Sequence, residues 1–579
     1  MTPGRFTTGW ATAPQRWDSR SNASDWFLGW LADKGVEVIF GNPGSTELPL
    51  VDALARQDRI RYVLGLHESA VMGMADGYAQ QGDRLGVVNV HVQPGLANAM
   101  SGILNAARAR VPLLVTVGQQ VTSLLGQAPF LGGELVKLAQ PIAKAAIEVS
   151  DPRNFPEQLS WAYTQAMARP RGPVVLSIPM DIQAGPIPRR SVGAGVAYPH
   201  PDPDLFQRAA EMLANAKDPI ILAGDGVAHE RAWDRLREIS DLIGAPIMGE
   251  PFAARVPIPA KSPLWRGPLP GFASEIAPIL DPHDAVLAVG MPVFRVFGTS
   301  PGDVSRRFRV RLIHLDPDPD EVGRVFGPKV GIVCPVAPGL AAIADHLHRL
   351  GPRPSEVATR AKRVRTETAR LREEALQRLS AASAGEGEGI SGARLCTAIA
   401  AAVGPDDLVV DEALTSGRWL RTALGARNTP RNWLAHRGSA LGWGLPAAVG
   451  AKRADWTRRV MCVHGDGSFL FGVHALWTAA RERLGVAVVV ADNSGYEILR
   501  AGLEGLTGRA EGDWPGLELV DPKLDLVAIS RGFGASAERI DRREQLDDAL
   551  ADVWRRAESG PAVLVVPVTG RTPAVGYPV

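Results

Sequence analysis

Val460–Gly472 reads VMCVHGDGSFLFG, an apolar run, a turn of small and acidic residues, and a second run with helical spacing. Short apolar runs without polar alternation belong to strands buried on both faces, as in a parallel sheet between helices. A strand that passes through Gly465-Asp466-Gly467-Ser468 into a helix places a helix N-terminus at the carboxyl edge of its sheet, where phosphates bind. A plain tight turn would use the same glycines, so the tetrapeptide alone does not decide. The next run, Val486–Ile498 (VAVVVADNSGYEI), ends in Asp492-Asn493-Ser494-Gly495. Two neighbouring parallel strands would then deliver the Asp466 carboxylate and the Asn493 amide oxygen to one edge. Gly495 can add a main-chain carbonyl, because a glycine lets the backbone approach closely. Hard oxygen donors that leave room for a diphosphate suit Mg²⁺.

The same alternation of buried runs and helices recurs along the chain. Before residue 190 it gives the amphipathic helix ASDWFLGWLADKG, the strand VEVIFG, and later LGVVNVH, VPLLVTVG and GPVVLSIP. A Pro-rich stretch, 185–204, reads as a linker. PIILAGDGVA, APIMGE, DAVLAVGMPVF and VRLIHLDPDPDEVG follow. The charged segment 353–381 reads as a helical crossover, and SAASAGEGEG (380–389) as a flexible hinge. DLVVDE, VMCVHGDGS, VAVVVADNSG and PAVLVVPV complete the third block. The fold class is therefore α/β, with three doubly wound parallel-sheet domains at 22–190, 205–350 and 389–579, preceded by an arm at 1–21. Right-handed crossovers are expected throughout.

The totals narrow the function classes. The 579 residues carry a net charge of +1 with no long single-sign block, so nothing favours nucleic acid or an anionic membrane as partner. No apolar run approaches the ~20 residues of a membrane helix. Arg5, Arg16, Asp18 and Arg20 interrupt the first twenty residues, which argues against a signal peptide. Cys334, Cys396 and Cys462 are far apart, consistent with a reducing cytoplasm and no disulfide framework.

One more acid stands out. In VLGLHESAVMGMADGYA (63–79), Glu68 sits where a strand end meets a helix of small and apolar residues. It could face solvent and favour the helix dipole; in an apolar pocket it would instead be kept from full solvation and available for proton transfer.

Read together, the GDG and paired-Asn spacing, HESAVMGMADGYAQ, FGNPGSTELP, VNVHVQPGLANAM, VTVGQQ, GMPVFR, LGWGLPAAVG and PGLELVDPKLDLVAISRGFG resemble the thiamine-diphosphate enzymes. That family holds pyruvate decarboxylases and acetolactate synthases, and the likeness is greatest to its benzoylformate decarboxylase branch, over about Ser21 to Val568. The resemblance implies pyrimidine-binding, middle and diphosphate-binding domains in that order, with thiamine diphosphate and Mg²⁺ as cofactors. It implies that Glu68 faces the cofactor's ring nitrogen N1′. Asp466, Asn493 and Gly495 would hold the metal, and Asp492 departs from the family's asparagine. Thr415, Gly467 and Ser468 would touch the diphosphate, Leu441 would prop the cofactor, and the Ser439 carbonyl would accept from N4′. It also implies a site shared between subunits, hence a homodimer or homotetramer.

In the substrate pocket, Ser45 matches a group that binds the substrate carboxylate, and His91 a proton relay; a turn-capping serine and a core histidine are the alternatives. Phe297 stands where the family has a second catalytic histidine, and His436 is expected to take over part of that proton transfer. Ile498 is bulkier than its counterpart, Gly502 replaces an aromatic, and Pro129 and Phe130 replace leucines. Leu499 stands where pyruvate decarboxylases have an acid. The implied reaction is non-oxidative decarboxylation of a 2-oxo acid, aryl or aliphatic. A carboligase of the acetolactate synthase type and a non-catalytic relative are the alternatives.

Overall fold

Strands buried on both faces pair in parallel and need helical crossovers, and the chain does this three times. The computed structural model describes residues 22–187, 201–294, 310–384, 389–509 and 511–569. The first sheet comprises β1 (Val38–Asn42), β2 (Arg61–Leu64), β3 (Gly86–Val90), β4 (Leu113–Gln119), β5 (Ala145–Glu148) and β6 (Pro173–Pro179), in the order β2-β1-β3-β4-β6-β5. The second comprises β7 (Pro219–Ala223), β8 (Ile247–Gly249), β9 (Trp265–Pro268), β10 (Ala285–Val289), β11 (Arg311–Asp316) and β12 (Val330–Val333), in the order β12-β11-β10-β7-β8-β9.

The third sheet contains β13 (Ile390–Ser391), β14 (Leu408–Glu412), β15 (Trp433–Ala435), β16 (Val460–Gly465), β17 (Ala487–Asp492), β18 (Ser536–Arg539) and β19 (Ala562–Thr569). Its order is β13-β19-β17-β16-β14-β15, with β18 beside β19. Among the described residues all pairs within these sheets are parallel, for example β1–β3, β7–β10 and β14–β16. Each sheet has a point where the strand order switches direction near its middle, between β1 and β3, β7 and β10, and β14 and β16. Such a reversal opens a crevice at the carboxyl ends of the two strands.

The outer two sheets meet through a pair of buried helices. Residues 70–80 of the helix Glu68–Gly82 are all buried, the mark of a helix enclosed on every side. It crosses the helix Gly444–Ala454, of which residues 444–451 are buried. Glycines set the approach: a Cβ on Gly77 would lie 2.0 Å from the Ala447 carbonyl oxygen, and one on Gly450 1.8 Å from that of Met74. The Thr478 hydroxyl donates to the Leu64 carbonyl at 2.9 Å, and Arg61 pairs with Glu482 at 2.7 Å across the same junction.

The crossover expected at 353–381 is a helix, Pro354–Ala384. It is longer than expected: Ser380–Ala384, read as part of a hinge, continues it. Alanine is the best helix former, and Ser391 Oγ donates to the Ala382 carbonyl at 2.9 Å. The Pro-rich linker also ends earlier than read, because Asp202 caps a helix that starts at Pro203, where proline's missing N–H costs nothing. The N-terminal arm and Phe297 lie outside the described residues. Among the described residues no helix is long and apolar enough to cross a membrane.

The glycine contacts are testable. Gly450→Ala is expected to destabilise by about 1–3 kcal/mol, the usual cost of overpacking, and to lower the melting temperature by several degrees. Gly29→Ala, in the helix Ala23–Asp33 with no atom within 4 Å of the new Cβ, is expected to be neutral or to stabilise by up to about 1 kcal/mol. Calorimetry showing equal melting temperatures for the two variants would mean the helices can separate freely.

Candidate active site

At the reversal of the first sheet, three consecutive strand–helix units converge on one carboxylate. Asn42 ends β1, Glu68 opens the helix after β2, and Asn98 lies in the helix Val92–Arg108 after β3. Glu68 is 7% exposed, so it does not point into solvent. Its surroundings are less apolar than the sequence suggested: Asn42 Nδ2 donates to Oε1 at 3.2 Å and Asn98 Nδ2 to Oε2 at 3.0 Å. The two carboxamides fix the plane of the group and satisfy part of the cost of burying it.

The same crevice holds a second carboxylate that the sequence did not single out. Glu47 is fully buried and accepts from Gly44 N at 2.7 Å, from Thr46 Oγ1 at 2.8 Å and from His91 Nδ1 at 2.8 Å. Its hydrogen bond and charge, with help from Glu68, outweigh burial and raise the His91 pKa above 6.5. The turn carrying Ser45 packs on this ring, since a Cβ on Gly44 would lie 2.3 Å from His91 Cγ. Ser45 itself is exposed. The available signal was an acid in GSTELP, between a glycine turn and a helix too apolar to solvate it.

At the reversal of the third sheet, Asp466 follows β16 and Asn493 follows β17. Asp466 Oδ2 and Asn493 Oδ1 both accept from the Gly495 N–H, at 3.1 and 3.2 Å, so the three predicted metal residues are together. Burial, reinforced by the charge of Asp492, raises the Asp466 pKa to about 6; a divalent cation beside it would offset both. Oxygen donors only, a buried carboxylate and the N–H groups that open the helix Asp466–Gly472 fit Mg²⁺ and a diphosphate. The departing residue is accounted for: Asp492 Oδ2 accepts from Arg539 at 2.6 Å and Oδ1 from Ser494 N and Oγ, both at 3.1 Å.

Gly467 must be glycine here, because a Cβ would lie 2.5 Å from the Tyr496 ring. Ser468 is more committed than expected: its hydroxyl lies 3.2 Å from the carbonyls of Glu412 and Gly465 and from His464 Nδ1. Thr415 lies in the turn after β14. Glu412, also missed from sequence, accepts from the backbone N–H of Trp443 at 3.2 Å and Gly444 at 2.9 Å. It thereby holds the loop 436–443, in which Ser439 and Gly442 have φ of +60° and +87°.

His436 Nδ1 has no hydrogen-bond partner, and burial pushes its pKa down to about 4. Burial thus disfavours the protonated ring, so His436 has the character of a base or a hydrogen-bonding group more than of a resting acid. Of the pocket residues, Ile498 and Gly502 lie one turn apart on the helix Glu497–Thr507, Gly502 buried and Ile498 half-buried. Leu441 is half-buried, Pro129 is half-buried, and Phe130 is 87% exposed. Among the described residues no hydrogen bond or ion pair within the chain joins the Glu68 group to the Asp466 group.

Comparison with known proteins bears on this geometry. Three family models match: the thiamine pyrophosphate enzyme N-terminal TPP binding domain at residues 21–140, the central domain at 206–343 and the C-terminal TPP binding domain at 415–566. Benzoylformate decarboxylase of Pseudomonas aeruginosa is 34% identical over 93% of this chain and 97% of its own. The acetolactate synthase large subunit of Corynebacterium glutamicum is 26% identical over 90% and 82%. Among solved structures, the thiamine diphosphate-dependent 4-hydroxybenzoylformate decarboxylase of Rhodococcus jostii superposes with a TM-score of 0.81 at 28% identity, covering 95% of this chain and 99% of that one. Benzoylformate decarboxylase of Polynucleobacter necessarius gives 0.83 at 26% identity, with the same coverage.

The two histidines should titrate apart. His91 is raised by Glu47, so its pairing stabilises fully below the ordinary value of about 6.5 and is lost as pH rises through the raised one. His436 is lowered, so stability falls as pH drops from about 6.5 towards 4. Histidine-ring NMR is expected to place the His91 midpoint above 6.5 and to find His436 neutral down to about 4. Glu47→Gln should lower the His91 midpoint; an unmoved midpoint would remove the pair as its cause.

Proposed function

The chain belongs to the thiamine pyrophosphate enzyme family, and on that premise we propose how its residues carry out the decarboxylation of a 2-oxo acid. The protein is a thiamine-diphosphate-dependent carbon–carbon lyase that releases CO₂ and an aldehyde. The observation that carries this reading is the crevice of the first sheet, where Glu68, gripped by two carboxamides, lies beside the Glu47–His91 pair. We take the substrate to be an aryl 2-oxo acid, as the names of the benzoylformate decarboxylases above suggest for them.

Each residue then has a task. Asn42 and Asn98 each occupy one Glu68 oxygen, which leaves its remaining lone pairs to hold a proton against the pyrimidine ring. Glu47 engages His91 Nδ1 and favours the protonated ring, whose Nε2 can give a proton to the reacting carbon. Ser45, exposed on the adjoining turn, can donate to the substrate carboxylate. His436, neutral, can accept a hydrogen bond from the substrate. Asp466, Asn493 and Gly495 would hold Mg²⁺; Thr415, Gly467 and Ser468 would meet the diphosphate, and Ser439 and Leu441 the rings. Thiamine diphosphate, when bound, supplies the electron sink that takes up the carbon–carbon bonding pair as CO₂ leaves.

The large apolar side chains left exposed, Phe130 at 87%, Phe471 at 55% and Leu499 at 48%, support a homodimer or homotetramer in which a second copy completes the site. Three free, buried cysteines accord with a cytoplasmic protein. The acetolactate synthase relatives support carboligation as the second reading.

Purified protein with thiamine diphosphate and Mg²⁺ would be offered benzoylformate, pyruvate and branched 2-oxo acids, following CO₂ and aldehyde. Equal yields from benzoylformate are expected, with a loss of about 100-fold or more in Glu68→Gln, the scale of acid–base catalysis. CO₂ accompanied by a hydroxyketone would move the protein to the carboligases, and no CO₂ from any acid would end the decarboxylase reading.

A further inference from the structure

The crevice of the second sheet is lined by acids. Asp225 opens the short helix after β7, Glu250 follows β8, and Asp316 ends β11 with Asp318 just beyond. In a doubly wound sheet this edge is where a ligand's phosphates would lie, and carboxylates repel them. The backbone has closed there as well: a Cβ on Gly226 would lie 2.7 Å from Gly290 Cα, and one on Gly224 2.6 Å from the Gly290 carbonyl.

What meets the acids is arginine from the two outer domains. Arg437, on the loop after β15, puts Nη1 on Asp225 and Nη2 on Glu250, with side-chain exposures of 9%, 1% and 3%. Arg110, just past the helix Val92–Arg108, pairs with Asp316 at 2.9 Å and Asp318 at 3.6 Å. Asp225 is oriented further by the N–H groups of Ala254 and Arg255, at 3.0 and 2.9 Å, and Glu250 accepts from Asp225 N at 2.9 Å. Arg255 reaches back with Nη2 to the Gln80 carbonyl at 2.6 Å and Nη1 to that of Pro430 at 3.2 Å.

Arg437 stands between His436 and the Ser439–Leu441 segment. Its loop is tied at other points too: Ala435 N donates to the Ala254 carbonyl at 2.9 Å, and Ala440 exchanges two hydrogen bonds with the Asn105 carboxamide, at 2.8 and 3.2 Å. Gly438 fits only because it lacks a Cβ, which would lie 2.3 Å from Asn105 Oδ1. Buried ion pairs contribute little net stability but impose geometry. We propose that Arg437 is a positioning residue: the middle domain, through Asp225 and Glu250, sets where His436, Ser439 and Leu441 stand in the active site. The edge that elsewhere receives a ligand here receives a side chain of the same polypeptide. The inference rests on the reading that this loop lines the cofactor and substrate site.

The test compares the holoenzyme with three variants: Arg437→Met; Arg437→Lys; and Arg437→Met combined with Asp225→Asn and Glu250→Gln, which removes the buried charges together. Arg437→Met alone leaves two carboxylates uncompensated and is expected to melt lower. The triple variant is expected to recover the wild-type melting temperature yet keep kcat down about 10- to 100-fold, the scale of a misplaced reacting group, with KM for the 2-oxo acid changed less. Arg437→Lys, which keeps charge but not the two-pronged grip, should melt like wild type and show the same kcat deficit. A triple variant with both melting temperature and kcat restored would reduce Arg437 to charge neutralisation and overturn the proposal. Glu68→Gln run alongside separates the two claims: if it retains turnover the functional reading fails, whereas if it is inactive and the triple variant is not, only the positioning role fails.

Discussion

The first and third sheets are held in relation to each other by how closely the helix Glu68–Gly82 lies on the helix Gly444–Ala454. Side chains would hold the two apart; with glycine at 77 and 450 the next atoms met are main-chain carbonyls at 2.0 and 1.8 Å from where a Cβ would stand. One helix begins with Glu68. The other begins directly after the loop that carries His436, Ser439 and Leu441, and Glu412 holds its first N–H groups. The small residues that make VMGMADGYA and GLPAAVGA look featureless thus fix where two helix N-termini stand in relation to their sheets.

Three sheets of one topology put their crevices to three different uses. The first gathers titratable groups: a carboxylate fixed by two carboxamides, and an imidazole whose pKa a buried acid raises. The third gathers oxygen donors and helix N–H groups, suited to a cation and the phosphates it bridges. The second gathers four carboxylates and offers them to arginines. Topology supplies the crevice and the residues after each strand decide its chemistry. The middle sheet spends its crevice on the architecture, which is a use of the fold that no nucleotide-binding fingerprint would have revealed.

Much of this was legible in the sequence because central strands leave a clear trace. β4, β6, β16, β17 and the first five residues of β19 are buried on both faces almost throughout and read as runs dominated by apolar residues. β5, β9, β12, β13 and β15 are two to four residues long and stand at or next to sheet edges, where one flank needs no partner and no run is required. The juxtaposition of Asp466, Asn493 and Gly495 was legible because two neighbouring strands end at the same height. Glu47 was less so: its setting in GSTELP is a weak signal, and the His91 ring and the Gly44 turn packed around it are what mark it as a buried acid. Arg437 meets partners 212 and 187 residues away, a pairing that no local pattern encodes.

Two of the departures from the family's pattern, Asp492 and His436, show how a change is absorbed by its surroundings. An aspartate at 492 adds a negative charge one residue from Asn493. Both of its oxygens are already engaged, one by Arg539 from β18 and the other by the Ser494 N–H and hydroxyl. Arg539 thus offsets the added charge, and Asp466 and Asn493 still present one carboxylate and one amide oxygen at the sheet edge. The histidine at 436 brings no charge either, since burial holds it neutral, and Arg437 beside it sends its own charge into the middle domain. Among the described residues of the first crevice, the imidazole that a carboxylate supports is His91 on Glu47.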